Sequence, residues 1–332
     1  MSPDEQPVTG AGDLGFEHDP VMLDEILEIF DATPAGIYVD ATLGGAGHAC
    51  AVLDRRPDLA LIGIDRDPIA REAAAKRLER FGSRANVAAG RFDEIGALVA
   101  STKRTHSIDD EVTAVLFDLG VSSPQLDDGD RGFSYRHDAP LDMRMNPDDP
   151  ITAAEIVNEW SHEELTHAIR DGGDERFASR IAARIIDHRP ISTTTELAEV
   201  VVNAIPAATR RTGGHPAKRT FQALRIAVND ELSQIPVALR DAIDLLAPRG
   251  RCAVLSYHSG EDRLVKRTIG EAEAGNCTCP PRLPCVCGAE ATVRIIPPRQ
   301  RTASDEEKAR NPRSTSARLR SFERLAPAGG SR

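Results

Sequence analysis

No apolar run in this 332-residue chain approaches the length of a membrane span, so a helical membrane protein is excluded by the sequence. A disulfide framework is also missing. Four of the six cysteines crowd into residues 277–287, and the other two, Cys50 and Cys252, stand alone in apolar context. Residues 1–19 are acidic and polar and lack the apolar core of a signal peptide. We expect a disordered acidic lead-in at 1–17, a disordered tail at 326–332 and a cytoplasmic protein. No internal repeat is visible. An excess of positive charge is lacking as well. The net charge is -11, which argues at first against a nucleic-acid partner.

The distribution of charge is less discouraging. Residues 1–30 hold eight acidic and no basic side chains, whereas residues 291–332 hold ten Lys or Arg against four Asp or Glu. Residues 176–220 hold eight against three. Local basic surfaces set phosphate affinity, although solvated helix faces give the same counts. A hydrophobic fraction of 40% is ordinary, and the length suits one large domain or two smaller ones.

The chain is organised around Gly36-Ile-Tyr-Val-Asp-Ala-Thr-Leu-Gly-Gly-Ala-Gly-His48. A β-type run meets a loop with glycines at 44, 45 and 47, and an alanine-rich helical segment follows. Strand, Gly-rich turn and helix build the nucleotide-type pocket of doubly wound α/β domains. A dinucleotide fingerprint would read G-x-G-x-x-G/A, and this chain offers only Gly45-x-Gly47-x-x-Cys50. Asp40 would oppose a pyrophosphate at that place. S-adenosylmethionine (SAM) has no phosphate and carries a cationic sulfonium and ammonium, so the loop favours SAM over NAD.

Further strands are expected at 60–64, 86–89, 112–119 and 251–257, alternating with helices at 70–81 and 261–274. This predicts a mostly parallel Rossmann-like sheet. Asp67 or Asp65 can cap the helix that starts near Pro68. Residues 127–150 read as a long functional loop. Residues 153–160, 163–170, 175–188 and 194–205 read as helices of a small insertion, with Thr193 or Thr194 capping the last. A helix at 221–246, bent or broken near Pro236, returns to the core. Late strands at 293–296 and 316–322 would add antiparallel pairs. The domain division is therefore a discontinuous core at 18–141 and 216–325, with an all-helical insertion at 142–215.

Ligands of open α/β sheets lie outside the carboxyl ends of the strands. Asp40, Asp65, Phe92 with Asp93, and Asp118 fall at those ends. Asp65 is placed to accept both ribose hydroxyls, or merely to cap a helix. Asp118-Leu-Gly-Val-Ser-Ser-Pro-Gln125 is similar to, but more degenerate than, the Pro-containing turn of amino-directed methyltransferases. Such a turn holds both protons of a poorly nucleophilic exocyclic amine and aligns the nitrogen. Ser123 and Pro124 would supply it, and a plain Ser-Pro turn is the alternative. Residues 257–262 follow the last core strand, where His258 either touches a base or caps a helix. Cys277-x-Cys279-x5-Cys285-x-Cys287 offers four thiols to a tetrahedral zinc ion, or forms a reduced loop without metal.

Several ordered blocks together resemble one family over residues 18–325. They are His18-x-Pro20-Val21, Asp40-Ala-Thr-Leu-Gly44, Gly47-His48, Asp65-Arg-Asp-Pro68 and residues 118–127. Arg131-Gly-Phe-Ser134, Pro140-Leu-Asp-Met-Arg144, residues 221–231, His258-Ser259, Glu261-Asp-Arg263 and residues 314–320 complete the set. The sequence looks like the MraW/RsmH family of bacterial 16S ribosomal RNA cytosine-N4 methyltransferases. The resemblance implies a class I SAM-dependent methyltransferase core with a helical insertion that helps hold RNA. It implies cofactor binding by Asp40, Gly45, Ala46, Gly47, His48, Asp65, Phe92, Asp118 and Gln125. Catalytic roles would fall to Ser123, Pro124, Asp142 and His258. The implied partner is 16S rRNA in the small ribosomal subunit, with no membrane and with a homodimer admitted. Arg131 or Arg144 would reach a phosphate, and the loop carrying Phe133 and Tyr135 would close over the base. A nicotinamide-dependent oxidoreductase and a non-catalytic RNA-binding assembly factor are the rival readings.

Overall fold

The computed structural model describes residues 20–121, 125, 129–210, 214–280 and 286–327. Helix α1 (Leu23–Asp31) leads into β1 (Gly36–Asp40), a strand buried along its whole length. Burial on both faces explains why β1 reads as apolar without alternation. Then follow α2 (Gly47–Arg55), β2 (Leu59–Asp65), α3 (Pro68–Leu78) and β3 (Ala85–Ala89). Next come α4 (Ile95–His106) and β4 (Val112–Asp118). The sequence reading named no helix between β3 and β4. Only Ile95 and Val99 of α4 are buried, and its second half is polar, so its periodicity is faint.

Among the described residues, a series of helices follows β4: α5 (Ala153–Glu159), α6 (His162–Gly173), α7 (Ala178–Asp187), α8 (Thr194–Ala204), α9 (Ala207–Arg210) and α10 (Lys218–Asn229). Reciprocal capping boxes start three of them, through Thr152 with Glu155, Ser161 with Glu164, and Thr193 with Glu196. Each satisfies otherwise orphaned backbone donors and contributes about 1 kcal/mol. Helix α7 buries Ala178, Ile181, Ala182 and Ile185, one stripe at helical spacing. Helix α6 lies so close to α10 that a Cβ on Gly173 would meet the Arg219 carbonyl oxygen at 2.5 Å.

The apolar cluster of these helices runs wider than residues 142–215. It takes in Phe133 and Leu141 before them and Phe221, Leu224 and Val228 after them. The expected long helix at 221–246 is two helices, α10 and α11 (Glu231–Leu245). They part at Asp230, which is left-handed at φ 51 and ψ 41, while Pro236 is accommodated inside α11. The break falls where the buried neighbours change. Helix α10 faces the helical cluster, whereas Ile235, Ala238, Leu239 and Ala242 of α11 pack beneath the sheet.

The chain then returns through β5 (Leu246–Ser256), α12 (Ser259–Glu273), β6 (Val293–Ile295), β7 (Arg301–Thr302), α13 (Asp305–Arg310) and β8 (Arg318–Arg324). Strand β5 carries an irregularity at residues 247–250. Its register on β4 jumps from Val112↔Leu246 to Ala114↔Arg251. Strand order is β3-β2-β1-β4-β5-β8-β6, with β7 also pairing β8. The first five are parallel, and β8 is antiparallel to its three neighbours. This is a class I, Rossmann-like methyltransferase architecture. Its topological switch lies between β1 and β4, where an open sheet leaves a crevice. Among the described residues, no helix is long and apolar enough to cross a membrane.

Candidate active site

A cleft opens at the carboxyl edge of the parallel strands. Thr42 follows β1, Asp65 ends β2, Gly90 and Phe92 follow β3, and Asp118 ends β4, all of them lining it. Helix α11 closes one side with Glu231, Gln234 and Ile235. Gly120 turns the chain out of β4 at φ +99, a conformation that a side chain would strain.

Asp65 receives the backbone N–H of Gly44 at 2.8 Å on one oxygen and that of Asp67 at 2.8 Å on the other. It thus holds the glycine loop against the end of β2. Burial pushes its carboxyl up to about 6, and the two N–H donors only partly offset this. Asp67 caps α3 by accepting from Ile69, as its position suggested. Phe92 lies edge-on to Phe117 with ring centres 6.2 Å apart.

Asp118 is the second carboxylate of the cleft. Tyr257 donates its hydroxyl to it at 2.6 Å, and Nδ1 of His48 stands 3.5 Å away. The backbone N–H of Asp118 donates to the Thr42 hydroxyl at 2.6 Å, which ties β4 to the β1 loop. His48 places Nε2 3.0 Å from the Val21 carbonyl, so that nitrogen carries the hydrogen. A proton on Nδ1 or on Asp118 then makes their contact attractive. Burial raises the Asp118 carboxyl, against the pull of His48 and Tyr257. Asp40 lies behind them, accepting from the Tyr38 hydroxyl at 3.0 Å. Burial lifts its carboxyl to about 6 despite His48, Tyr38 and the Thr42 N–H. Asp40 supports the cleft from within the core and does not line it.

The remaining expectations divide. Gln125 lines the cleft and donates to Asp67 at 2.9 Å. Gly45, Ala46, Gly47 and His48 stand back from its surface, and of the glycine loop only Gly44 lines it. The reason is local. Ala46 is the left-handed residue, at φ 61, from which α2 starts, and Arg77 holds the Gly45 carbonyl at 2.9 Å. Asp142 is clamped by Arg144, whose Nε and Nη2 both donate at 2.8 Å, and it does not line the cleft. Ser123, Pro124 and Cys285 lie outside the described residues.

His258 is a helix cap. Its Nδ1 accepts from the Gly260 and Glu261 amides, and Nε2 stands 3.1 Å from the Glu261 carboxylate. Glu261 reaches the cleft in its place. Burial works against its charge, but His258, the Tyr257 N–H and Arg225 outweigh that and hold its carboxyl low. The phosphate-binding expectation for Arg131 and Arg144 is also corrected. Arg131 pairs with Asp67 at 2.5 Å and donates to the Arg144 and Met145 carbonyls. Arg144 is committed to Asp142 and to the Asp149 carbonyl.

Sequence reasoning gave no role to Thr42, just after β1, to Tyr257, just after β5, or to Gln234 and Ile235, which reach the cleft from α11. Glu231 carried a signal only as the last residue of a block behind the resemblance.

The donor set has a definite chemical preference. Four carboxylates, Asp65, Asp118, Glu231 and Glu261, line the cleft with two arginines. Arg66 is paired with Asp149 and Arg91 with Asp93. Such a cleft suits hydroxyl donors and a cation, and it repels a pyrophosphate. Its charge favours SAM over a dinucleotide.

A second cavity adjoins the first at Val121 and is of opposite character. Tyr135, Arg136, Lys218, Phe221 and Arg225 are among its lining. Tyr135 stacks on His215 at 4.4 Å and meets Phe221 edge-on. Among the described residues, Arg136 and Lys218 have no carboxylate partner within 4 Å.

Comparison with known proteins agrees with this geometry. The chain is 48% identical over 317 residues to the ribosomal RNA small subunit methyltransferase H of Heliobacterium mobile, covering 94% of this chain and 100% of that one. It is 49% identical over 317 residues to the protein of the same name in Symbiobacterium thermophilum, covering 94% and 98%. For the Mycobacterium bovis protein of that name the identity is 47% over 330 residues, covering 95% and 82%. The family described as the MraW methylase family matches residues 15–325, from before α1 to beyond β8, and the chain belongs to it.

Proposed function

We propose that this chain transfers a methyl group from SAM to the exocyclic N4 of a cytidine in the decoding region of 16S ribosomal RNA, within the small ribosomal subunit. The observation that carries this reading is an acidic cleft at the switch point opening beside an aromatic, cation-bearing cavity. The names of the relatives support the small-subunit RNA, and the cleft supports the cofactor.

SAM, when bound, supplies an electrophilic methyl group on a sulfonium. Asp65 accepts the ribose hydroxyls, Phe92 offers an apolar face, and Asp118 sets a negative charge near the cation. With its carboxyl raised by burial, Asp118 is also suited to accept the proton that the methylated amine releases. The turn at Ser123 and Pro124 aligns the amine, while Asp142 acts through Arg144 on the neighbouring loop. The loop carrying Tyr135 and Arg136, together with Lys218 at the start of α10, presents two cations to RNA phosphates, with Tyr135 as a stacking surface for a splayed base.

Attack through carbon 5 of cytosine would require a cysteine nucleophile. Cys50 and Cys252 are both buried away from the cleft, and burial raises both thiols. Nucleosides from small subunits treated with the protein and isotopically labelled SAM, separated by mass spectrometry, test the reading. The expected label is in N4-methylcytidine. Label in 5-methylcytidine or in a ribose-methylated nucleoside would overturn the chemistry. No transfer at all, with RNA bound, would favour a non-catalytic assembly factor.

A further inference from the structure

Beyond α12, the described residues of the loop leading to β6 give it no buried apolar side chain to hold its shape. Among the described residues from 273 to 292, none is buried, and Val286 is 89% exposed. The base of the loop is nevertheless tightly closed. Gly275, at φ +65, approaches Glu290 so nearly that a Cβ would meet the Glu290 carbonyl oxygen at 2.4 Å. Thr292 N–H donates to the Ala272 carbonyl at 3.1 Å, and Asn276 N–H to that of Glu271 at 2.7 Å. The two limbs leaving this base bring three thiols together.

The sulfur atoms of Cys277, Cys279 and Cys287 all lie within 4.8 Å of one another. Those of Cys277 and Cys287 are 3.6 Å apart, and no disulfide joins them. Tetrahedral zinc–thiolate bonds of about 2.3 Å place neighbouring sulfurs about 3.8 Å apart. A disulfide bond requires about 2.0 Å. The backbone N–H of Val286 donates to the Cys279 sulfur at 3.4 Å, the kind of outer contact that orients a thiolate ligand.

We propose that Cys277, Cys279 and Cys287 are ligands of a zinc ion that staples the loop between α12 and β6, apart from the methyl-transfer cleft. A loop this poor in core needs a cross-link to keep one conformation, and three converging thiols favour a borderline-soft divalent cation. Binding forms three Zn–S bonds, and each thiol that was protonated gives up its proton to buffer.

The test uses the full chain, purified without added metal and without a metal-affinity tag. Elemental analysis is expected to find about one zinc per chain. Stripping with a chelator at neutral pH should release it and expose three further thiols to a thiol reagent. Readdition of zinc should restore the metal and release protons in unbuffered solution. The double variant Cys277→Ser with Cys287→Ser should lose at least tenfold in zinc affinity. If that variant does not fold, hydrogen exchange on the chelated full chain decides, with faster exchange expected at residues 273–292. Metal-free protein that takes up no zinc from an equimolar supply would overturn the proposal. A Cys277–Cys287 disulfide in its place, or unchanged exchange after the metal is stripped, would overturn it too.

Discussion

At the scale of single residues, Asp65 joins two functions. Its oxygens organise the Gly44 and Asp67 amides, and its lone pairs facing the cleft remain open to a ligand. Asp65→Ala should therefore weaken SAM binding by about 1.5–3 kcal/mol, the worth of hydrogen bonds to a charged acceptor, while the chain stays folded. Calorimetry that found unchanged affinity in a folded variant would remove Asp65 from the ribose site. Ala46 illustrates a different residue-level constraint. Its left-handed backbone favours glycine, yet Ala46 is fully buried within an apolar cluster, and that packing offsets the strain.

At the scale of elements, the junction of α10 and α11 couples the helical unit to the cleft. Arg225 on α10 grips Glu231 on α11 through two bonds, of 2.7 and 2.8 Å, across the left-handed Asp230. Both side chains are largely buried, and Glu231 lines the cleft. Asn229 adds a second clasp, bonding the backbone of Met143 and Met145 at 2.8 Å each. Arg225→Met should cost about 3–5 kcal/mol, because it leaves the Glu231 charge buried without its partner. Arg225→Met combined with Glu231→Leu should recover most of that loss. Urea unfolding of the three variants measures this. A single variant as stable as the parent would show that the pair is not what joins the two units.

At the scale of the whole molecule, Asp40 and Asp65 both carry carboxyls raised to about 6, against roughly 3.9 in an unfolded chain. Between those values the folded protein binds more protons than the unfolded one. Their contribution to stability is thus full below about pH 4 and lost as pH rises through about 6. Ligand binding runs the other way, since an ionised Asp65 is the better acceptor and the better partner for a cation. SAM affinity should fall about tenfold from pH 7 to pH 5, with binding displacing close to one proton at pH 5 and almost none at pH 7. Asp65→Asn should bind weakly at both pH values, with that slope largely gone. Titration calorimetry at the two pH values checks both. A slope that persists in Asp65→Asn would assign the proton to Asp40 or Asp118 instead.

The sequence by itself determined the local chemistry. Apolar runs ending in Asp40, Asp65 and Asp118 determined strands whose carboxyl ends bear acid, because burial on both faces leaves only the terminus free for polar groups. Asp67 ahead of Pro68 marked one helix start and the Thr193–Thr194 pair another, because caps act over three residues; the structure assigns the second cap to Thr193. The glycine loop and the ordered blocks were legible for the same reason. Tertiary structure decided what depends on distant neighbours. It committed Arg131 to Asp67, 64 residues away, and so removed it from the phosphate role that its charge suggested. It placed Tyr257 on Asp118 across 139 residues and broke the 221–246 helix at Asp230, where the packing partners change, and not at Pro236. It also drew Cys277 and Cys287 to within 3.6 Å, whereas spacing alone left both a metal site and a bare loop open. Contacts of this kind depend on which surfaces the fold brings face to face, and no local stretch of chain carries that information.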